Sequence, residues 1–127
     1  MIVVEGGNRK LRSLAEKAAL FAWDNLIPSD AVCFVTISLN NIEHGDGFCW
    51  EEDENDYAIE VNSKLTGDDF LTAIFHEMTH VKQYVKGELF DDDIFYKTHE
   101  EYINQPHEVE AYRVQEELLE LWNKTVH

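Results

Sequence analysis

An α+β fold is predicted from two kinds of periodicity that occupy separate stretches of the chain. Apolar residues recur at spacings of three and four over residues 8–26, 70–85 and 108–122, as in helices with one buried face. Between the first two of these stretches lie three short runs rich in β-branched and aromatic residues, which read as strands. The predicted order is helix, three strands, helix, loop, helix. With 127 residues, the chain is most simply one domain around one core, and residues 1–127 are read that way.

In the first helix Leu11, Leu14, Ala15, Ala18, Phe21 and Ala22 form the apolar face, and Pro28 stops the pattern. Val32 to Leu39 supplies the first strand. The His-Gly-Asp-Gly turn signal at 44–47 opens a second, short strand from Gly47 to Glu51. An acidic loop, Glu52 to Asp56, leads to a third strand from Tyr57 to Asn62. Thr66 or Gly67 begins the second helix, with Asp68 and Asp69 in a first turn where carboxylates favour the helix dipole. That helix runs to about Lys86 and stops at Gly87, a natural C′ residue. Residues 88–104 read as an irregular acidic segment. Its Asp91-Asp92-Asp93 run lacks EF-hand spacing and is expected to be a solvated loop rather than a calcium site. Pro106 suits the first position of a final helix reaching about Lys124.

Composition narrows the function classes. The hydrophobic share of 44% and fifteen aromatic residues suit a folded globule. A net charge of −16 argues against nucleic acid and anionic membrane surfaces as partners. Cys33 and Cys49 form no CxxC pair and read as reduced thiols in strands, rather than a structural disulfide. The N-terminus has no basic region and too short an apolar run for a secretory signal. No stretch approaches the roughly twenty apolar residues that span a bilayer. A cytoplasmic protein is expected; oligomeric state is not legible.

The most definite chemical statement is His76-Glu77-Met78-Thr79-His80, an HExxH pentapeptide inside the second helical run. Imidazoles four residues apart on a helix point the same way and can grip one metal ion, and the carboxylate beside the first can poise a water on it. With six His and sixteen Glu, chance would place such a pattern in roughly three or four of a hundred shuffled chains, so context decides. On a helical wheel Phe70, Leu71, Ile74, Phe75, Met78, Val81 and Val85 cover one arc, while His76 and His80 fall on the other side, flanked by Asp69, Ala73 and Gln83. Core histidines would lie inside the apolar arc. In the last helix Ala111, Tyr112, Gln115, Leu118, Leu119 and Trp122 form one stripe with Glu108 at its head; Glu110, Glu116, Glu117, Glu120 and Arg113 fall on the solvated side. A carboxylate turned to the core is costly unless paired or metal-bound. Glu108 is therefore the candidate third ligand, against a simpler role as a first-turn acid.

These residues carry a family resemblance. The HEMTH string, extended as Val81-Lys82-Gln83-Tyr84 and followed by Glu108-Val109-Glu110-Ala111, resembles the HExxH plus ExxA arrangement of gluzincin zinc metallopeptidases. The short length and three preceding strands resemble the minigluzincins and related small phage-type metallopeptidases. The resemblance spans roughly residues 45–122. It implies a zincin-like fold: an N-terminal helix, a small three-stranded sheet, an active-site helix and a C-terminal glutamate helix. It implies Zn2+ held by His76, His80 and Glu108, with Glu77 as general base for attack of water on a peptide bond. The family usually has Asp or Asn four residues after the ligand Glu, orienting a bound His; here that position is Tyr112. Tyr112 is left with three roles: hydrogen bonding to a His ligand, stabilising an oxyanion, or packing. Tyr102, His99 and His107 are the other oxyanion candidates. The Phe48-Cys49-Trp50 strand is either the edge to which an extended peptide or protein substrate adds, or an ordinary edge blunted by the acids at 51–54.

The expected activity is that of a zinc metalloendopeptidase. The alternatives are a zinc-binding regulatory or interaction module of the same fold without turnover, and a small α+β interaction domain in which the motif is coincidental.

Overall fold

The computed structural model describes residues 1–89 and 99–125 and is α+β. Its elements are β1 (Ile2–Gly6), α1 (Arg9–Leu26), β2 (Phe34–Asn40), β3 (Gly47–Asp53), β4 (Asp56–Asn62), α2 (Gly67–Val85), α3 (His99–Ile103) and α4 (Pro106–Asn123). The sheet has four strands in the order β1-β2-β4-β3, mixed rather than the three-stranded sheet expected. The strand missing from the expectation is β1, five residues that pair in parallel with β2, Ile2 opposite Val35. Parallel neighbours need a crossover, and α1 supplies it. Asn8 caps α1 by accepting the Leu11 N–H at 2.8 Å.

β2 pairs in parallel with β4, and β4 pairs antiparallel with β3. The expected acidic loop at 52–56 is instead a tight hairpin: β3 continues to Asp53, the register shifts between Glu51 and Asp53, and Asn55 takes a left-handed φ of 58°. β3 is thus an edge strand, as both readings of Phe48-Cys49-Trp50 required. Cys33 precedes β2 and Cys49 lies in β3; neither is in a disulfide.

Alternation sends Val35, Ile37, Leu39, Tyr57, Ile59 and Val61 to the covered face of the sheet. Against this face lies α2, the central helix, in which every residue from Ala73 to Val81 is buried. α1 and α4 pack along it. Four alanines, Ala15, Ala18, Ala19 and Ala22, form the wholly buried stripe of α1. Phe21 of α1, Phe75 of α2 and Trp122 of α4 meet in one aromatic cluster, with Phe21 and Trp122 edge to face at 5.3 Å between ring centroids. Hence α4 is held at its C-terminal end by ring packing.

α2 ends in a Schellman motif. Gly87 has φ +71°, its N–H donates to Tyr84 O at 3.1 Å, and the Glu88 N–H donates to Gln83 O at 2.7 Å. The irregular segment expected over 88–104 contains the short helix α3; residues 90–98, including Asp91 to Asp93, lie outside the described residues. The buried face of α4 is Glu108, Ala111, Val114, Leu118 and Trp122. It is rotated towards Val114 relative to the expected stripe, which leaves Tyr112 41% exposed. No described helix is long and apolar enough to cross a membrane.

Candidate metal centre

The three expected ligands converge where α2 meets the first turn of α4. His76, His80 and Glu108 are 8%, 6% and 3% exposed, and one ligand atom from each lies within 4.8 Å of the others. His80 Nε2 is 2.7 Å from Glu108 Oε1, and His76 Nε2 is 3.1 Å from Glu108 Oε2. The faces that point away from the sheet thus point at α4. This buried group can bind a metal ion.

Hydrogen-bond polarity tests whether a cation fits. Gln83 donates through Nε2 to His107 O and to Glu110 Oε1, both at 2.9 Å. Its Oε1 must therefore be the atom 2.7 Å from His80 Nδ1, and a carbonyl oxygen only accepts. Gln115 repeats the pattern: Nε2 donates to Glu116 Oε1 at 3.1 Å, and Oε1 lies 2.8 Å from His76 Nδ1. Both rings then carry their proton on Nδ1, and a neutral ring presents a bare lone pair on Nε2 to the Glu108 carboxylate. Lone pair against carboxylate is repulsive at these distances. A cation must stand between them, either a proton on Nε2 or a metal ion.

The electrostatics agree. Burial pushes the Glu108 carboxyl up, but hydrogen bonds from His76 and His80 and their charges outweigh it and hold Glu108 well below the usual carboxylate range. Burial pulls His80 down, and the hydrogen bond to Glu108 with the charges of Glu77 and Glu108 more than reverses this, so its pKa is raised. The sign for metal binding follows. Between the ordinary histidine value of about 6.5 and its raised value, His80 still carries a proton that a metal must displace. Metal binding, followed calorimetrically with zinc in buffers of differing ionisation enthalpy, is expected to release protons within this window. Affinity should weaken as pH falls through it. Binding there without proton release would contradict the arrangement.

Glu77 differs from the ligands. It is 6% exposed and makes no hydrogen bond or ion pair among the described residues. Burial raises its pKa; His80 and His76 oppose the rise, and Glu108 and Asp46 add to it. Gly47, at the head of β3, lets the edge strand approach it: a Cβ there would lie 3.3 Å from Glu77 Cγ and Oε2 and 2.8 Å from Glu60 O. The outer edge of β3, unpaired among the described residues, therefore begins at this carboxylate.

The structure describes the side chains of three of the four oxyanion candidates. Tyr102, on α3, hydrogen-bonds Glu108, and its phenol is pushed up by burial and then by the charges of Glu108 and Glu77. Tyr112 meets His76 as a ring, centroids 4.7 Å apart, while Gln115 takes the hydrogen bond to that histidine. The ring of His107 lies 5.8 Å from that of His80, and its Nε2 is 4.0 Å from Glu108 Oε1. The side chain of His99 lies outside the described residues. Glu110, expected on the solvated side, instead accepts from Lys82 at 3.0 Å and from Gln83. Gln83 and Gln115 went unassigned from sequence. The signal was there for Gln115, a polar residue in an otherwise mostly apolar stripe, as Glu108 was. Comparisons with protein-family models, curated proteins and solved structures return no match for this chain.

Proposed function

We propose that the chain is a zinc-dependent peptidase in which His76, His80 and Glu108 hold the metal and Glu77 is the general base. The observation that carries this reading is Glu77, a buried carboxylate with no hydrogen bond or ion pair among the described residues, set between the ligand group and the edge of the sheet. Two imidazoles and one carboxylate suit catalytic zinc, and they suit non-haem iron as well. The unpartnered carboxylate favours hydrolysis, because a hydrolytic base must be free to receive a proton.

Bound zinc would supply a Lewis acid that polarises a carbonyl and lowers the pKa of a coordinated water to about 7. Glu77 would accept a proton from the attacking water as the water oxygen bonds to the peptide carbonyl carbon. It returns the proton to the amine nitrogen as the carbon–nitrogen bond breaks. The raised proton affinity of Glu77 suits both transfers. The free edge of β3 offers backbone donors and acceptors to an extended chain, a sequence-tolerant way to bring a peptide bond to the Gly47 end. Tyr102, hydrogen-bonded to Glu108 and within the field of Glu77, would be the phenol that turns to donate to a developing oxyanion.

The direct test is a mixed peptide library incubated with zinc-loaded protein, with new termini read by mass spectrometry. Cleavage that stops on chelation and returns with zinc is expected. One tightly bound zinc per chain with no cleavage would instead favour a regulatory or interaction module.

A further inference from the structure

Each histidine of the ligand group is backed by the same three-part chain: an imidazole, a glutamine amide and a glutamate carboxylate. His80 Nδ1–H donates to Gln83 Oε1 at 2.7 Å, and Gln83 Nε2 donates to Glu110 Oε1 at 2.9 Å. His76 Nδ1–H donates to Gln115 Oε1 at 2.8 Å, and Gln115 Nε2 donates to Glu116 Oε1 at 3.1 Å. The two chains are built from different elements, since Gln83 belongs to α2 and Gln115 to α4. α4 contributes the carboxylate of both.

From this repetition, and resting on the metal reading above, we infer that Gln83 and Gln115 are positioning residues. They fix both rings with Nε2 bare and turned to the metal, and they relay a glutamate's field through a neutral amide. A metal-bound imidazole needs a partner on its other nitrogen to set tautomer and orientation. A carboxylate placed there directly would bring another negative charge into a pocket that already holds Glu108 and Glu77. An amide satisfies Nδ1–H without adding charge, and its donation to a carboxylate polarises it. The imidazoles then donate less electron density than carboxylate-backed rings would, leaving the metal a stronger Lewis acid.

The two relays are not equal. Gln83 is buried, and its amide has a second acceptor in His107 O; its backbone carbonyl closes the Schellman turn at the end of α2. Glu110 is held in turn by Lys82 at 3.0 Å. Gln115 is half-buried and its glutamate is exposed. The His80 relay is the rigid one and the His76 relay the adjustable one.

The test reads zinc affinity and ring tautomer separately. Gln115→Met, at a half-buried position where the fold should be kept, removes the acceptor and is expected to weaken zinc binding about 10–100-fold. Gln115→Glu keeps an acceptor and should bind zinc at least as tightly as the unmodified chain. Glu110→Gln should weaken binding measurably, and Glu116→Gln should not. Long-range 15N–1H spectra of histidine-labelled, metal-free protein at pH 9 should show Nδ1 protonated in both rings, and in Gln115→Met the His76 proton should leave that site. Unchanged zinc affinity in Gln115→Met, or Nδ1 without a proton in either ring of the unmodified protein, would overturn the inference while leaving the metal reading standing. An unmodified chain that takes up no zinc, whatever its tautomers, would overturn the metal reading and this inference with it.

Discussion

Replacing Glu77 with Gln should lower peptide turnover by about 10²–10⁴-fold, the span a positioned general base contributes, while zinc uptake persists. The substitution keeps the shape of the side chain and removes its proton affinity. Glu77 makes no hydrogen bond or ion pair among the described residues, so no such bond among them is lost with it. A buried carboxylate whose burial raises its pKa is also a cost to the folded state near neutral pH. The variant should therefore melt no lower than the unmodified protein, as expected where stability was given up for function. Turnover, zinc content and melting temperature measured on one preparation decide the matter. A Glu77→Gln chain that still cleaves at the original rate removes Glu77 from the chemistry.

The second large effect is thermal. Zinc at a thousandfold excess over its dissociation constant should stabilise the fold by about 4 kcal/mol, a rise of roughly 10–20 °C in melting temperature for a chain of this size. Glu108→Ala should abolish that rise at the same zinc concentration, because it removes the carboxylate whose two oxygens face the two Nε2 atoms, one each. The comparison is zinc against no zinc within each variant, so any change in metal-free stability drops out. A full shift retained in Glu108→Ala would place the zinc elsewhere.

Local pattern carried much of this site. The spacing of His76 and His80 and the lone acid at the head of an apolar stripe lead to the group that the structure assembles. What local pattern missed depends on contacts between distant residues. β1 has only five residues and becomes a strand because β2 lies alongside it, across the whole of α1. Glu110 reads as a surface acid until Lys82, 28 residues earlier, is placed against it. Tyr112 follows Glu108 by one helical turn, and the wheel set it in the stripe. The rotation of α4 that buries Val114 leaves Tyr112 at the rim, packed on His76 by its ring. Gln83 was placed beside the histidines, but nothing local assigned its amide to His80 rather than to water.

α4 is fastened twice, by Trp122 near one end and by Glu108 near the other, and the two fastenings tolerate substitution differently. Around Trp122 the requirement is volume and apolarity, which several large side chains meet at modest cost. Around Glu108 the requirement is a particular oxygen at a particular place, which almost no replacement meets. Drift along this one helix should therefore be uneven, free to exchange one bulky residue for another in its last turns and nearly frozen in its first.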